Sequence, residues 1–131
     1  MHRFALLAAL IAATPLLADD FDGPRQGKGL SNRTLGEIPL AEATAEHTNS
    51  TLRMRYWEIE PGGIVPVHNH GTRPSIIWVQ QGTIVEHRSD RDEPEIYGPG
   101  MVSVEVGIQH WWENTGDETV ILIAADVYDK N

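Results

Sequence analysis

From residue 51 onward, short runs of apolar and β-branched residues alternate with turn-forming residues about every 8–12 positions. The turn formers include Gly62-Gly63, Gln81-Gly82 and Thr115-Gly116-Asp117. This pattern is typical of a β-sandwich or β-barrel, and no segment of this region carries the 3.6-residue period of a helix. The predicted strands are residues 52–59, 64–70, 75–79, 83–87, 101–106, 109–113 and 120–128.

The chain before residue 51 is organised differently. A short basic start precedes an apolar stretch over residues 4–18, and Asp19 and Asp20 follow at once. This order is typical of a secretory signal peptide, and the stretch is shorter than the roughly 20 residues of a membrane span. We therefore expect residues 1–18 to be a signal peptide. The protein would be exported, periplasmic or secreted, with no membrane association after cleavage.

The remaining chain predicts one folded domain with an arm in front of it. Residues 19–50 are polar and contain one candidate strand, at 35–40. Residues 51–131 hold the alternating runs and form the predicted barrel domain, and a chain of 131 residues is short enough to be a single domain.

Composition excludes several functional classes. The chain carries 19 acidic and 10 basic residues, a formal net charge of −9, which argues against nucleic acid or an anionic membrane as a partner. It has no cysteine, so disulfides, thiolate metal sites and a cysteine nucleophile are excluded.

Histidines supply the clearest candidate chemistry. His68 and His70 are two residues apart in a predicted strand, so their side chains project from the same face and can bind one metal ion. His110 lies in a later strand and supplies a third nitrogen if the barrel brings that strand opposite. A pair of this kind is a weak signal by itself, because such histidines are often surface or core residues.

The surrounding spacing resembles that of the small single-domain cupins, of the kind labelled quercetin dioxygenase-like. Gly62, His68, His70, position 75 and Gly82 match the spacing of the first cupin motif. Gly107, His110 and Asn114 match the second motif. The resemblance implies an all-β cupin fold, that is, a double-stranded β-helix or jelly-roll barrel. It also implies a divalent metal ion held by His68, His70 and His110.

Two positions depart from the cupin pattern. Ser75 stands where the family has a glutamate ligand, and Glu105 stands where the second motif has a proline. Three neutral imidazoles leave a divalent ion its full charge, which favours an anionic ligand or hydroxide in the open positions. Imidazole ligands suit several ions, so Fe, Cu, Zn, Ni and Mn all remain open, as does the possibility that the site has lost its metal.

Further pocket candidates come from the same strands. Arg73 is a candidate clamp for an anionic substrate or a structural ion pair. Trp112 has the parity of His110 and is expected to face the pocket, whereas His87 is expected at or near the surface. Glu105 shares a face with Ser103 and is a further candidate to reach the centre; the pattern does not tell which face looks inward, and an exposed glutamate is the more common outcome. The candidates for the pocket or for substrate binding are Arg73, Ser75, Gln81 and Trp112.

Two functional hypotheses follow. One is a metal-dependent, dioxygenase-like enzyme acting on a small organic anion, and the other is a non-catalytic module that binds a metal or a small ligand. Because unpaired sheet edges tend to be paired or covered, we also expect a homodimer with the N-terminal arm on or across a sheet edge.

Overall fold

The computed structural model describes residues 21–130. The predicted signal peptide lies outside these residues. The described chain is almost entirely β-structure, with one short 3-10 helix at Leu40–Glu42. Its strands are β1 Lys28–Pro39, β2 Ser50–Asn69, β3 Ser75–Gln81, β4 Ile84–Arg88, β5 Glu95–Tyr97, β6 Val102–Glu105, β7 Gln109–Glu113 and β8 Val120–Asp129. The all-β barrel predicted from the sequence is confirmed.

The strands form one continuous antiparallel sheet that curves into a nearly closed barrel. Their order is β5-β4-β7-β2-β8-β3-β6, and β1 pairs with β2 outside this path. Strand β2 joins the two halves because its first part pairs with β8 and its last part pairs with β7. The two ends of β2 therefore belong to different parts of the barrel.

The bend in β2 corrects the prediction of two separate strands at 52–59 and 64–70. The chain passes through Gly62 and Gly63 without leaving the strand. Gly62 has a φ of 73°, which side-chain-bearing residues rarely adopt, and a Cβ on Gly63 would lie 2.7 Å from the carbonyl oxygen of Glu60. The two glycines therefore lie within one continuous strand and do not form a turn between two strands.

The N-terminal arm is also more regular than its polarity indicated. Strand β1 begins at Lys28 rather than near residue 35, and it pairs with β2 of its own chain from Ile64 to Thr51. Strand β5 had no predicted counterpart, since its three residues follow a charged loop and are too few to show a pattern. Within residues 21–130, no helix is long and apolar enough to span a membrane.

The core lies inside the barrel and combines an apolar cluster with buried polar side chains. The side chains of Ile59, Val79, Ile84 and Val120 are fully buried there. On β6 the alternation runs against hydrophobicity, because Ser103 and Glu105 point inward while Val102 and Val104 are exposed. The expectation of an exposed Glu105 is therefore wrong, since the barrel interior beside β6 is polar.

Candidate metal centre

Three histidines converge inside the barrel. His68 on β2 and His110 on β7 are directly paired residues of the two strands. His70 follows the end of β2, where its backbone N–H donates to the carbonyl of Ile108 and its carbonyl accepts from Gly107. The centroids of the three rings lie 4.3–5.0 Å apart. The structure thus brings together the three residues that the sequence identified as ligands.

The outer nitrogen of each ring is fixed by a carbonyl or carboxylate oxygen. Nδ1 of His68 lies 2.9 Å from the carbonyl oxygen of Pro66, and Nδ1 of His70 lies 2.7 Å from that of Arg73. Nδ1 of His110 lies 2.6 Å from a carboxylate oxygen of Glu86. Each Nδ1–H must donate, so in the neutral ring each Nε2 presents a lone pair to the centre.

The inward nitrogens are placed as ligands of a single cation. Nε2 of His68 lies 2.9 Å from Nε2 of His110, although two lone pairs cannot bond to each other. Nε2 of His70 is buried and has no hydrogen-bond partner. One ligand atom from each of the three residues lies within 4.8 Å of the others. The donor set therefore fits a divalent metal ion bound by three imidazoles.

Burial keeps two of these rings in the form that binds metal. It lowers the pKa of His68 to about 3, with the nearby His110 ring acting in the same direction. It lowers the pKa of His70 to about 4, against the hydrogen bond to the Arg73 carbonyl, which acts in the opposite direction. A ligating imidazole must be neutral, so protons do not compete for these two nitrogens at neutral pH.

Glu86 is a part of the centre that the sequence analysis did not identify. Its side chain is fully buried on β4, where it accepts from His110 and, at 3.0 Å, from the Ser103 hydroxyl. Arg88, two residues along the same face, lies 3.5 Å from it. Alternation places Ile84, Glu86 and Arg88 on one face, but Val85 makes the other face equally apolar at its start, so the sequence alone did not indicate which face looks inward.

Glu105 is the second buried carboxylate and faces the histidines directly. Its Oε2 lies 3.2 Å from Nε2 of His70, and its side chain is 1% exposed. Burial, followed by repulsion from Glu86, raises the pKa of Glu105 to about 8, while its hydrogen bond with Ser75 acts in the opposite direction. Glu105 is therefore buried in the centre and not exposed as expected.

A cluster of arginines borders the histidines. The buried carboxylate of Asp126 accepts from Arg53 at 2.7 Å and from Arg55 at 3.2 Å, and Arg73 lies 3.9 Å from the same oxygen. Burial lowers the pKa of Arg55, and its Nε atom has no hydrogen-bond partner. The guanidinium groups of Arg53, Arg55 and Arg73 share one carboxylate, so this side of the site, the arginine wall, keeps an excess of positive charge.

These groups line a cavity of about 230 Å³. Its polar side is formed by the three histidines with Arg55, Arg73, Ser75 and Glu105. Its apolar lining includes Leu30, Trp57, Val65, Trp112 and Leu122. A pocket with a few convergent polar groups on an apolar background is the usual form of a small-molecule site.

The predicted pocket residues fall into two groups. Arg73, Ser75 and Trp112 line the cavity. Gln81 does not, because its side chain points away from the cavity and its amide donates to the Thr119 carbonyl. The placement of Gln81 in the pocket is corrected accordingly, because a register shift between Val79 and Gln81 in the pairing with β8 interrupts the alternation along β3.

His87 lies outside the centre, as the sequence indicated. Its ring stacks on Trp111 with centroids 3.7 Å apart, and its Nε2 lies 2.9 Å from a carboxylate oxygen of Glu113. Both partners are on the outer face of β7, whereas Trp112 is buried on the inner face.

Comparison with solved structures finds the same fold in proteins of low sequence identity. The Cnp3 cupin domain of Schizosaccharomyces pombe superposes with a TM-score of 0.63 at 15% identity, covering 84% of this chain and 70% of that one. A predicted oxalate decarboxylase from Thermotoga maritima gives 0.59 at 23% identity, with 84% and 95% covered. KdgF from a Halomonas species gives 0.59 at 15% identity, with 84% and 91% covered.

These similarities concern the fold alone. No curated protein matches the chain at a significant level. The Cupin_2 family, described as a cupin domain, matches residues 55–126, which is more than half of the chain and includes all three histidines. The chain belongs to the Cupin_2 family of cupin domains.

Proposed function

We propose that this cupin binds a divalent metal ion through His68, His70 and His110 and acts on a small organic anion in a dioxygenase-like oxidation. The observation that carries the proposal is the convergence of three Nε2 lone pairs, each fixed by an acceptor on the Nδ1 side. Such outer partners are the usual means of orienting metal-ligating histidines.

The arginine wall supports an anionic substrate. Arg55 and Arg73 line the same cavity as the histidines, and Nε of Arg55 is left without a partner. A guanidinium group binds a carboxylate through parallel charge-assisted hydrogen bonds. A substrate carboxylate would therefore meet positive charge on the arginine side of the cavity as well as at the metal.

The residues of the cavity would bind the anion and exclude water from it. Arg55 and Arg73 orient the anion, and Trp112 with the apolar wall removes water from it, which strengthens each electrostatic contact. A bound metal would supply Lewis acidity toward the anion and, with a redox-active ion, a route for electrons to dioxygen.

Metal content after native purification, followed by an oxygen-uptake screen, tests the proposal. We expect a stoichiometric transition metal and oxygen consumption with a carboxylate, diketone, flavonol or thiol, lost on chelation and restored by the metal. Tight metal retention with no turnover on any of these would favour the alternative, a non-catalytic cupin that binds a metal or a small ligand.

Binding of a simple dianion tests the arginine wall separately. Oxalate is the first probe, because one similar structure is a predicted oxalate decarboxylase. Arg73→Ala should weaken oxalate binding by about tenfold or more, the effect of one lost charge-assisted hydrogen bond. Arg33→Ala is the matched control, since Arg33 lies over the Tyr56 ring on an exposed part of β1. Equal affinity in the Arg73 and Arg33 variants would count against the wall.

We also propose that the protein is exported. The support is the order of residues 1–20, in which a basic start is followed by an apolar stretch and then by two aspartates. Mass spectrometry of the protein from the cell exterior or periplasm should show cleavage near Ala18, and an intact Met1 would contradict the proposal.

We propose a homodimer as the working assembly. The outer faces of β8, β3 and β6 carry a row of apolar side chains, among which Ile76 is 53% and Val104 is 58% exposed. Exposed apolar surface of this kind marks an interaction site. Ultracentrifugation should show a dimer that Ile76→Lys dissociates, and a monomer at micromolar concentration would contradict it.

A further inference from the structure

The position at which this chain departs from the cupin ligand pattern has a direct structural partner. Ser75 on β3 and Glu105 on β6 are paired across the two strands. Both side chains are buried and both line the cavity beside the histidines. A hydroxyl stands where the spacing would place a carboxylate, and a carboxylate stands on the neighbouring strand directly opposite.

The carboxylate of Glu105 lies among the candidate ligand atoms. Its Oε2 is 3.2 Å from Nε2 of His70, and the two inward nitrogens of His68 and His110 are 2.9 Å apart. Ligand atoms bound at right angles to one ion, each at about 2.1 Å, lie about 3 Å from each other. Both spacings therefore match neighbouring ligands of a single ion.

The remaining contacts of Glu105 leave it free for this role. Its Oε1 is buried and has no hydrogen-bond partner, and Nε2 of His70 is in the same condition. Oε1 lies 3.5 Å from Nδ1 of His110, which Glu86 already holds at 2.6 Å. Unpaired buried polar atoms are costly, and a cation bound by the Glu105 carboxylate and by Nε2 of His70 would compensate both residues.

We infer that Glu105 is the fourth protein ligand of the metal and supplies from β6 the carboxylate that Ser75 does not supply from β3. This inference rests on the proposed three-histidine centre and adds one ligand to it. With Glu105 bound, three imidazoles and one carboxylate reduce a divalent centre to a net charge of +1. Glu86 has a different role, since it holds the outer nitrogen of His110.

The experiment measures Co²⁺ binding by calorimetry and by visible absorption, which reports the ligand set. Glu105→Gln keeps the shape but removes the charge, and Glu105→Asp keeps the charge but withdraws it by one methylene. Glu113→Gln is the matched control, because Glu113 is a carboxylate on β7 that contacts His87 on the outer face. Thermal unfolding verifies that each variant is folded.

We expect Glu105→Gln to lose about 100-fold or more in Co²⁺ affinity, at or beyond the upper limit for an indirect partner, and to change the visible spectrum. Glu113→Gln should match the wild type in both measurements. The reciprocal double variant Ser75→Glu with Glu105→Ser returns the carboxylate to the opposite strand, and it should regain most of the lost affinity.

Three results would overturn the inference. Wild-type affinity and spectrum in Glu105→Gln would leave a three-histidine centre without this ligand. A weakened site with an unchanged spectrum would make Glu105 a neighbour of the metal rather than a ligand. Absence of Co²⁺ binding by the wild type itself would remove the proposed metal centre together with this inference.

Discussion

The Nδ1 atom of His110 lies 2.6 Å from Oε1 of Glu86, and both side chains are completely buried. This contact determines which nitrogen of His110 faces the cavity, because a carboxylate holds the proton on Nδ1 and leaves Nε2 free. The ligand on β7 therefore depends on a residue of β4, a strand that supplies none of the three histidines.

Replacing Glu86 with glutamine should weaken the metal centre without removing a ligand. The glutamine amide can donate to Nδ1, which favours the tautomer that places the proton on Nε2. We expect metal affinity to fall about 10–100-fold, measured by competition with a chelator. Glu113→Gln serves as the control, and equal affinities in the two variants would show that Glu86 does not orient His110.

Alanine at each proposed ligand should remove most of the metal. His68→Ala, His70→Ala and His110→Ala each delete one of three convergent nitrogens, so metal content after purification should fall well below one ion per chain. His87→Ala is the matched variant, because this ring stacks on Trp111 outside the cavity. Loss of metal in His87→Ala equal to that in His68→Ala would disprove the ligand assignment.

The three histidines could be predicted because their signal is local or belongs to a spaced motif. The same-face projection of His68 and His70 follows from strand geometry, and the spacing around His110 supplies the third ligand. Glu105 was harder, since alternation showed that it shares a face with Ser103 but not which face looks inward. The valines on the other face suggested the opposite of what the structure shows.

The continuity of β2 through its two glycines was missed for a related reason. A pair of glycines is a turn signal in most sequences, and only the pairing of β2 with both β7 and β8 shows that the strand continues. The interior position of Glu86 depends on long-range pairing in the same way, because Ile84 and Val85 give both faces of β4 an apolar residue.

The close packing at Gly82 should make this glycine sensitive to substitution. Its φ is 79°, and a Cβ there would lie 2.9 Å from a side-chain carbon of Val120 and 3.1 Å from the Val120 Cα. Gly82→Ala should therefore lower the free energy of unfolding by about 1–3 kcal/mol, measured by urea denaturation.

Gly98→Ala is the control for this substitution. A Cβ on Gly98 would meet nothing within 4 Å, and its φ lies outside the left-handed region. Its free energy of unfolding should stay close to that of the wild type. A Gly82→Ala variant as stable as Gly98→Ala would mean that the turn between β3 and β4 relaxes around the added methyl group.

The metal-free protein should be most stable near pH 6.5. Below this value an unfolded histidine is protonated, whereas the pKa values of about 3 for His68 and about 4 for His70 keep the folded rings neutral. The unfolded chain then binds more protons, so the free energy of unfolding falls as the pH drops below 6.5.

Glu105 produces the opposite limb of this profile. An unfolded glutamate ionises near 4.5, whereas the pKa of about 8 keeps the folded side chain protonated between these values. The folded protein therefore binds more protons, and its free energy of unfolding falls as the pH rises toward 8, by at most about 1.4 kcal/mol per pH unit. The two histidines oppose this effect of Glu105 below pH 6.5, so the fall in the free energy of unfolding is visible only above that pH.

Urea titrations of the chelated protein at pH 6.5 and pH 8 should show this loss in the wild type and in Glu113→Gln. Glu105→Gln has no ionisable group at this position and should lose little or none, and a fall as steep as that of the wild type would mean that another group is responsible.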